Sequence, residues 1–263
     1  MSPRQRLAWP AVLLGLVACA WGAADAAPVA VRFPEGSVRG FLVLRSAAGD
    51  LLADGELLQV PRGDRIEARI VFRFKDGSLH DEVVLFSQRR VFSVVRYHLV
   101  QRGSAFRHAI DASIDRPTGR YTVRFRERPD GSEDVHEGPL DLPPDVYNGM
   151  PLILAKNLAP AATATGHFVA FTPKPRLVKM ELAPAGEDAF VLGETTRKAI
   201  RYRVRFEIGG LAGVLASLVG KEPPELVYSI ATGPVPAFVR FDGPLSLGGP
   251  TWRVELTAPR WPK

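Results

Sequence analysis

Residues 65–74, RIEARIVFRF, alternate apolar and charged side chains, with Val71 as the one apolar member of the charged row. Successive side chains of a β-strand point to opposite faces of the sheet, so a repeat of two residues places all the apolar members on one face. The segment therefore predicts a long, half-buried strand with a charged outer face. The apolar row is Ile66, Ala68, Ile70, Phe72 and Phe74, and the charged row is Arg65, Glu67, Arg69 and Arg73.

The same pattern continues along the chain after this segment. Asp76-Gly77 follows it at once and is typical of a hairpin turn, and residues 115–119, DRPTG, predict another turn. Further strands are predicted over 83–86, 91–100, 105–114, 121–125, 167–171, 177–182, 200–208, 226–230, 238–241 and 252–256. Consecutive short strands separated by Gly, Pro and Asp predict a mainly β protein. We expect an antiparallel meander that forms an open or closed barrel-like sheet, such as a spiral or half-barrel.

Two segments depart from the period of two. Residues 143–160 contain Pro143-Pro144 and an apolar set that fits a short helix over 146–158. Residues 209–225, GGLAGVLASLVGKEPPE, predict a second short apolar helix that ends at Gly220. This stretch lacks the spacing of a phosphate-binding loop and is too short to span a membrane. We therefore expect two short helices that cap the sheet, by covering its core or as a lid over a cavity.

The N-terminal segment has the layout of a secretory signal peptide. A short basic region and an apolar run precede Ala24-Asp25-Ala26, a small-residue cleavage site. Cys19, the single cysteine, ends the apolar run and is an alternative site of lipidation. No other stretch reaches the length of a membrane span. The predicted organisation is a signal peptide over 1–26, an N-terminal β half over 27–142, a helical joint over 143–160, and a C-terminal β half over 161–263 packed with the first as one domain.

The charge balance bears on partners. The chain carries a net charge of +6, which is mildly basic, and an exported protein is a poor candidate for nucleic-acid binding. Arginines recur opposite apolar rows, so a basic face toward anionic lipid or cell wall is one interpretation and an ordinary solvated sheet face is the other. The candidate basic face comprises Arg65, Arg69, Arg73, Arg201, Arg203 and Arg205.

Catalytic signatures are weak. Residues 78–82, SLHDE, contain residue types used in acid–base chemistry, but on a strand His80 shares its face with Glu82 and diverges from Asp81. A hairpin edge explains the same residues without catalysis. The histidines lack metal-binding spacing, so we predict no metal, no cofactor and no enzymatic activity, with a hydrolase as the least favoured alternative.

The strand succession and the interrupting helices resemble those of periplasmic lipoprotein carriers and of secreted β-spiral envelope proteins. The phrases LDLPPDVYNGM and GGPTWRVEL are similar to those of secreted bacterial β-rich envelope proteins without an assigned activity. In the carriers, a curved sheet capped by helices holds acyl chains in an apolar groove. The resemblance thus implies a lipid-binding role for the two helices. The candidate groove and cap residues are Leu211, Val214, Leu215, Leu218, Met150 and Leu154.

The sequence therefore favours two functions over that of a hydrolase. The first is a non-enzymatic envelope protein, periplasmic or secreted, that binds a lipid or another apolar small molecule in a groove of its sheet. The second is an interaction module with a packed core that contacts an anionic envelope surface or an envelope protein.

Overall fold

The computed structural model describes residues 28–128, 131–192, 195–207 and 225–257. The predicted signal peptide, with Cys19, lies outside these ranges. The predicted second helix lies outside them too, together with Leu211, Val214, Leu215 and Leu218.

In the described ranges the chain forms fourteen strands and one helix. The first eight strands are β1 Val38–Arg45, β2 Leu51–Arg62, β3 Arg65–Phe74, β4 Leu79–Gln88, β5 Phe92–Arg102, β6 Ala109–Asp115, β7 Arg120–Arg126 and β8 Asp134–Pro139. They are followed by α1 Pro151–Asn157, β9 Ala164–Thr172, β10 Lys174–Leu192, β11 Thr195–Glu207, β12 Leu226–Ala231, β13 Ala237–Gly243 and β14 Trp252–Thr257.

All fourteen strands belong to one antiparallel sheet. Its order is β8-β7-β6-β5-β4-β3-β2-β1-β14-β13-β12-β11-β10-β9, so the first and last strands pair at the centre and β8 and β9 form the two edges. The sheet is not closed, which confirms the predicted mainly β meander in its open form. The strand predicted over residues 65–74 is β3, and the turn that follows it places Gly77 at φ +84°.

The helix differs from its predicted bounds. Helix α1 begins at Pro151, and the preceding stretch after Pro143-Pro144 consists of turns and a short bridge. Gly149 has φ +71°, a left-handed conformation that cannot continue a helix, whereas Pro151 has the φ that a first helical residue requires. The described residues contain this one helix. The other predicted cap falls within 208–224.

The main hydrophobic core lies between the two halves of the chain. It joins inner-face residues of β3 to β6 with those of β9 to β12, and α1 is packed between them. Met150, Ile153 and Leu154 are buried in it. A second cluster brings Phe74 and Phe106 of the first half onto Trp252 of β14. The curled sheet therefore buries one face without closing.

One edge of the sheet is covered by the chain itself. The backbone N–H of Tyr147 donates to the carbonyl of His167 at 2.9 Å, and the N–H of His167 donates to the carbonyl of Asp145 at 2.8 Å. The side chain of Asn148 bonds both backbone groups of Val169, accepting from its N–H at 2.8 Å and donating to its carbonyl at 2.9 Å. Unpaired strand edges are prone to pairing with other chains, and residues 145–148 occupy this one.

Close approach at this edge requires a glycine. A Cβ on Gly166 would lie 2.6 Å from Cε2 of Tyr147 and 2.8 Å from the carbonyl oxygen of Asp145. Both distances are far shorter than van der Waals contact. Gly166 therefore permits β9 to dock against residues 145–148.

Across the ranges that the structure covers, no helix has the length and apolar character needed to cross a membrane.

Candidate ligand-binding cavity

A cavity of about 400 Å³ lies inside the curl of the sheet, where the two halves face each other across α1. Close-packed protein interiors hold few voids larger than a water molecule, so this space is a departure from ordinary packing. Its wall is mainly apolar. The aliphatic and aromatic residues that line it include Ile70, Leu99, Ile110, Leu152, Phe168, Val169, Phe171, Val178, Val204, Phe206, Leu226, Tyr228, Phe241 and Leu245.

A second space of about 70 Å³ adjoins the first and extends toward Leu42, Leu57 and Val254. Both spaces are lined by His80, Glu82 and Leu152. The polar side chains of His80 and Glu82 therefore lie at the boundary that the two spaces share.

A hydrogen bond from a tyrosine ends on Glu82. The hydroxyl of Tyr97 donates to Oε1 of Glu82 at 2.8 Å. Strands β4 and β5 bring the two side chains together, since Val84 is opposite Tyr97 and Glu82 is one step along the same face.

His80 has a defined tautomer. The side-chain nitrogen of Gln101 lies 2.6 Å from the carbonyl oxygen of Leu245, which can only accept, so that atom is the amide nitrogen. The same nitrogen lies 2.9 Å from Nδ1 of His80 and donates to it. His80 is therefore neutral, with its hydrogen on Nε2.

Burial shifts the pKa values of these groups. It lowers the pKa of His80 to about 4, and the nearby charge of Asp81 opposes this only in part. Burial also raises the pKa of Glu82, against the hydrogen bond from Tyr97. The pKa of Tyr97 lies well above its ordinary value because of burial and the adjacent Glu82, and burial raises that of Tyr228 as well. Each change disfavours the charged form in a cavity with few polar groups.

The mouth of the cavity is charged. Glu225 lies 2.9 Å from Nη1 of Arg203 and 3.5 Å from Nη2 of Arg205. Arg205, Phe206, Glu225 and Leu226 line the cavity and flank residues 208–224 on either side. The predicted cap over 210–219 belongs to that interval and stays a prediction.

The sequence-predicted residues of the helical joint occupy a different place from the cavity wall. Met150 and Leu154 are fully buried in the core, whereas the neighbouring Leu152 lines the cavity. Sequence reasoning did not single out Tyr97, Tyr228 or Gln101, and it considered Glu82 only as a neighbour of His80. These four side chains point into the cavity because they occupy inward positions in the period-two pattern of their strands. The sequence signal that could have identified them is the presence of polar residues in a row that is otherwise apolar.

The arginines predicted as a basic face lie in two separate groups. Arg65, Arg69 and Arg73 belong to β3, and Arg201, Arg203 and Arg205 belong to β11. Five strands separate β3 from β11, which is about 29 Å along the sheet at a spacing of about 4.8 Å. Four of the six reach a carboxylate: Arg65 meets Asp64, Arg69 meets Asp81, and Arg203 and Arg205 share Glu225.

The hydrolase interpretation depended on His80 meeting a carboxylate and a hydroxyl. His80 and Glu82 do share the inner face of β4, as their spacing predicts. Nδ1 of His80 contacts Gln101, and the buried hydroxyl of Ser78 accepts the N–H of Ala105 at 2.9 Å. Among the residues placed by the structure, no group of three or more His, Cys, Asp or Glu side chains is arranged to hold a metal ion.

The fold and this cavity together define a class of architecture, an open fourteen-stranded meander curled around an internal apolar cavity. Comparison of the chain with models of known protein families, with curated proteins and with solved structures gave no match. The resemblance to lipoprotein carriers therefore stays a prediction.

Proposed function

We propose that this chain is a non-enzymatic exported envelope protein that holds an apolar small molecule in the cavity inside its curled sheet. The observation that carries the proposal is the cavity itself, whose volume of about 400 Å³ lies within the range of about 300–1,000 Å³ typical of small-molecule sites. A mostly apolar wall with a few convergent polar groups is the usual composition of such sites.

Binding of an apolar ligand would remove apolar surface from water. Both the ligand and the mainly apolar cavity wall lose contact with water on binding, which is favourable at about 25 cal/mol per Å². The wall is drawn from β3 to β6, α1 and β9 to β13, so a bound molecule would contact both halves of the chain. Binding is therefore expected to stabilise the fold as well.

Filling the cavity tests the proposal. Leu152 on α1 lines both the main space and the smaller adjoining one, and Leu152→Trp would occupy part of that volume. We expect the variant to bind the neutral fluorescent probe N-phenylnaphthylamine at least about tenfold more weakly than the unaltered protein, because the larger side chain takes the space of the probe. Fluorescence titration measures the difference.

The matched control is Leu177→Trp. Leu177 is an exposed residue of β10 and does not line the cavity, so this variant adds the same side chain without filling the space. It should bind the probe as the unaltered protein does. Equal affinity for all three proteins would contradict binding in this cavity, and a lack of probe binding by the unaltered protein would contradict the proposed function.

The exported location rests on residues 1–26. The N-terminal residue of the protein isolated from cells tests it, since cleavage by the general signal peptidase leaves Ala27 and lipoprotein processing leaves a lipidated Cys19. The alternative function, an interaction module with a basic face, has less support because the predicted arginines lie on two strands that are not neighbours in the sheet, and four of the six have a carboxylate partner.

A further inference from the structure

Glu82 is an acceptor that lacks a positive partner. Its Oε1 accepts the hydrogen of Tyr97 at 2.8 Å, and the side chain lines both cavity spaces. Within the described ranges no Lys or Arg forms an ion pair with Glu82. Burial raises its pKa, and the hydrogen bond from Tyr97 opposes this rise. A carboxylate without a cation is costly to ionise away from water, so a cation in the cavity would favour the charged form of Glu82.

The neighbouring groups supply no positive charge to Glu82. His80 stands two residues away on the same face but is neutral, because Gln101 donates to its Nδ1. Tyr97 donates to Oε1, so this oxygen of Glu82 acts as an acceptor. The positive side chains at the mouth, Arg203 and Arg205, are engaged by Glu225.

Aromatic side chains surround the same point. Tyr97 stacks on Phe171 with ring centroids 6.2 Å apart and planes within 7°. Tyr228 lies 4.8 Å from Phe241 between ring centroids, and it is close enough to Glu82 to respond to its charge. Carboxylates and aromatic faces together are the groups that recognise organic ammonium ions.

We infer that the cavity selects amphiphiles with a protonated amine head group, which Glu82 would bind beside the rings of Tyr97 and Tyr228 while the apolar tail fills the remaining space. The inference rests on the proposed function and names the ligand class of the same site. An ammonium group donates hydrogen bonds and brings the missing positive charge. A carboxylate or phosphate head group at this position would meet Glu82 with like charge.

Three probes that share one apolar tail separate the head groups. Decylamine, decanol and decanoate compete with N-phenylnaphthylamine for the unaltered protein, and we expect decylamine to displace it at concentrations about tenfold lower than the other two. This comparison needs no variant, so it does not depend on how a substitution folds.

Glu82→Gln removes the charge and keeps the shape. It should abolish the advantage of decylamine while displacement by decanol stays within about twofold, since the apolar wall is unchanged. The control is Glu67→Gln, which removes a carboxylate that lies outside the cavity and pairs with Arg62 at 3.0 Å. This control should retain the preference for decylamine.

The outcomes separate the two proposals. Equal displacement by decylamine and decanol, or a preference for decylamine that survives in Glu82→Gln, overturns the amine assignment and leaves the apolar binding site in place. A stronger effect of decanoate also overturns it. Absence of probe binding to the unaltered protein overturns the proposed function, and the amine assignment with it.

Discussion

His80 is a buried histidine that the fold keeps neutral. It lies on β4 between Phe72 and Phe106, with ring centroids 6.0 Å and 6.4 Å away, and Gln101 donates to its Nδ1. Protonation would place a second hydrogen on the nitrogen that Gln101 already occupies as a donor. The site therefore opposes the charged form through burial and through its hydrogen bond.

This environment predicts a loss of stability in acid. The pKa of His80 falls from 6.5 to about 4 on folding, so between these values the unfolded chain binds a proton that the folded protein does not. The contribution of His80 to the unfolding free energy is fully present above about pH 6.5 and is lost as the pH falls toward 4. The total loss is about 3 kcal/mol, since each unit of pKa shift corresponds to about 1.4 kcal/mol. Urea unfolding at about pH 7.5 and about pH 4.5 measures it.

Two substitutions isolate the effect. His80→Gln removes the titrating group. It should therefore abolish most of the part of the pH-dependent change in unfolding free energy that we attribute to His80. His98→Gln alters an exposed histidine that contacts Asp111 at 2.8 Å, and it should retain that difference. The same pH dependence in both variants would show that another group is responsible.

At the scale of elements, the edge strand β9 depends on one side chain. Asn148 is fully buried and satisfies both the N–H and the carbonyl of Val169, which face away from β10. Buried backbone groups without partners each cost about 1–3 kcal/mol. Asn148 thus takes the place of a backbone neighbour at this point of the edge.

Asn148→Ala is expected to lower the unfolding free energy by about 2–4 kcal/mol, because it leaves both groups of Val169 unsatisfied. Hydrogen exchange of the Val169 amide should also accelerate. Thr172→Ala is the control on the same strand, since its hydroxyl bonds the nearby Lys174 carbonyl at the surface, and it should cost no more than about 0.5 kcal/mol. A cost for Asn148→Ala as small as that of the control would contradict this role.

Sequence patterns predicted some elements and missed others for identifiable reasons. Strand β1, VRGFLVLR, is apolar on both faces over FLVL, and β2 contains Gly55 and Pro61, so neither shows the clean alternation of β3. Strand β8, DVHEGP, is a mostly exposed edge without an apolar row. Strand β10 was predicted only over 177–182, but it continues past Pro184 through a bulge to Leu192. Such interruptions are tolerated where the neighbouring strand supplies the remaining hydrogen bonds.

At the scale of the whole molecule, the two halves are joined at several places. Strand β1 is hydrogen-bonded to β14, Tyr97 stacks on Phe171, and the ring of Trp252 lies 5.3 Å from that of Phe74. The main core includes residues of both halves and of α1. These shared contacts favour a single cooperative unit.

We therefore expect unfolding of the two halves to coincide. In a variant with Trp9, Trp21 and Trp261 replaced by Phe, Trp252 is the one remaining tryptophan and reports on the contact between β14 and the first half. Its fluorescence and the far-ultraviolet circular dichroism of the sheet should give the same urea midpoint and the same slope. Two separated transitions would mean that the halves unfold independently.

The sequence by itself determined the strand class, the order of most strands and the inward direction of their apolar rows, because each of these follows from the alternation of neighbouring side chains. It also placed His80 and Glu82 on one face. Only the tertiary structure decided that β1 pairs with β14 and that Gln101 meets the carbonyl of Leu245, contacts between residues far apart in the chain. The cavity was decided in the same way, since its wall combines both halves with α1. Local patterns determine which face is buried, but the curvature of the whole sheet determines what that face encloses.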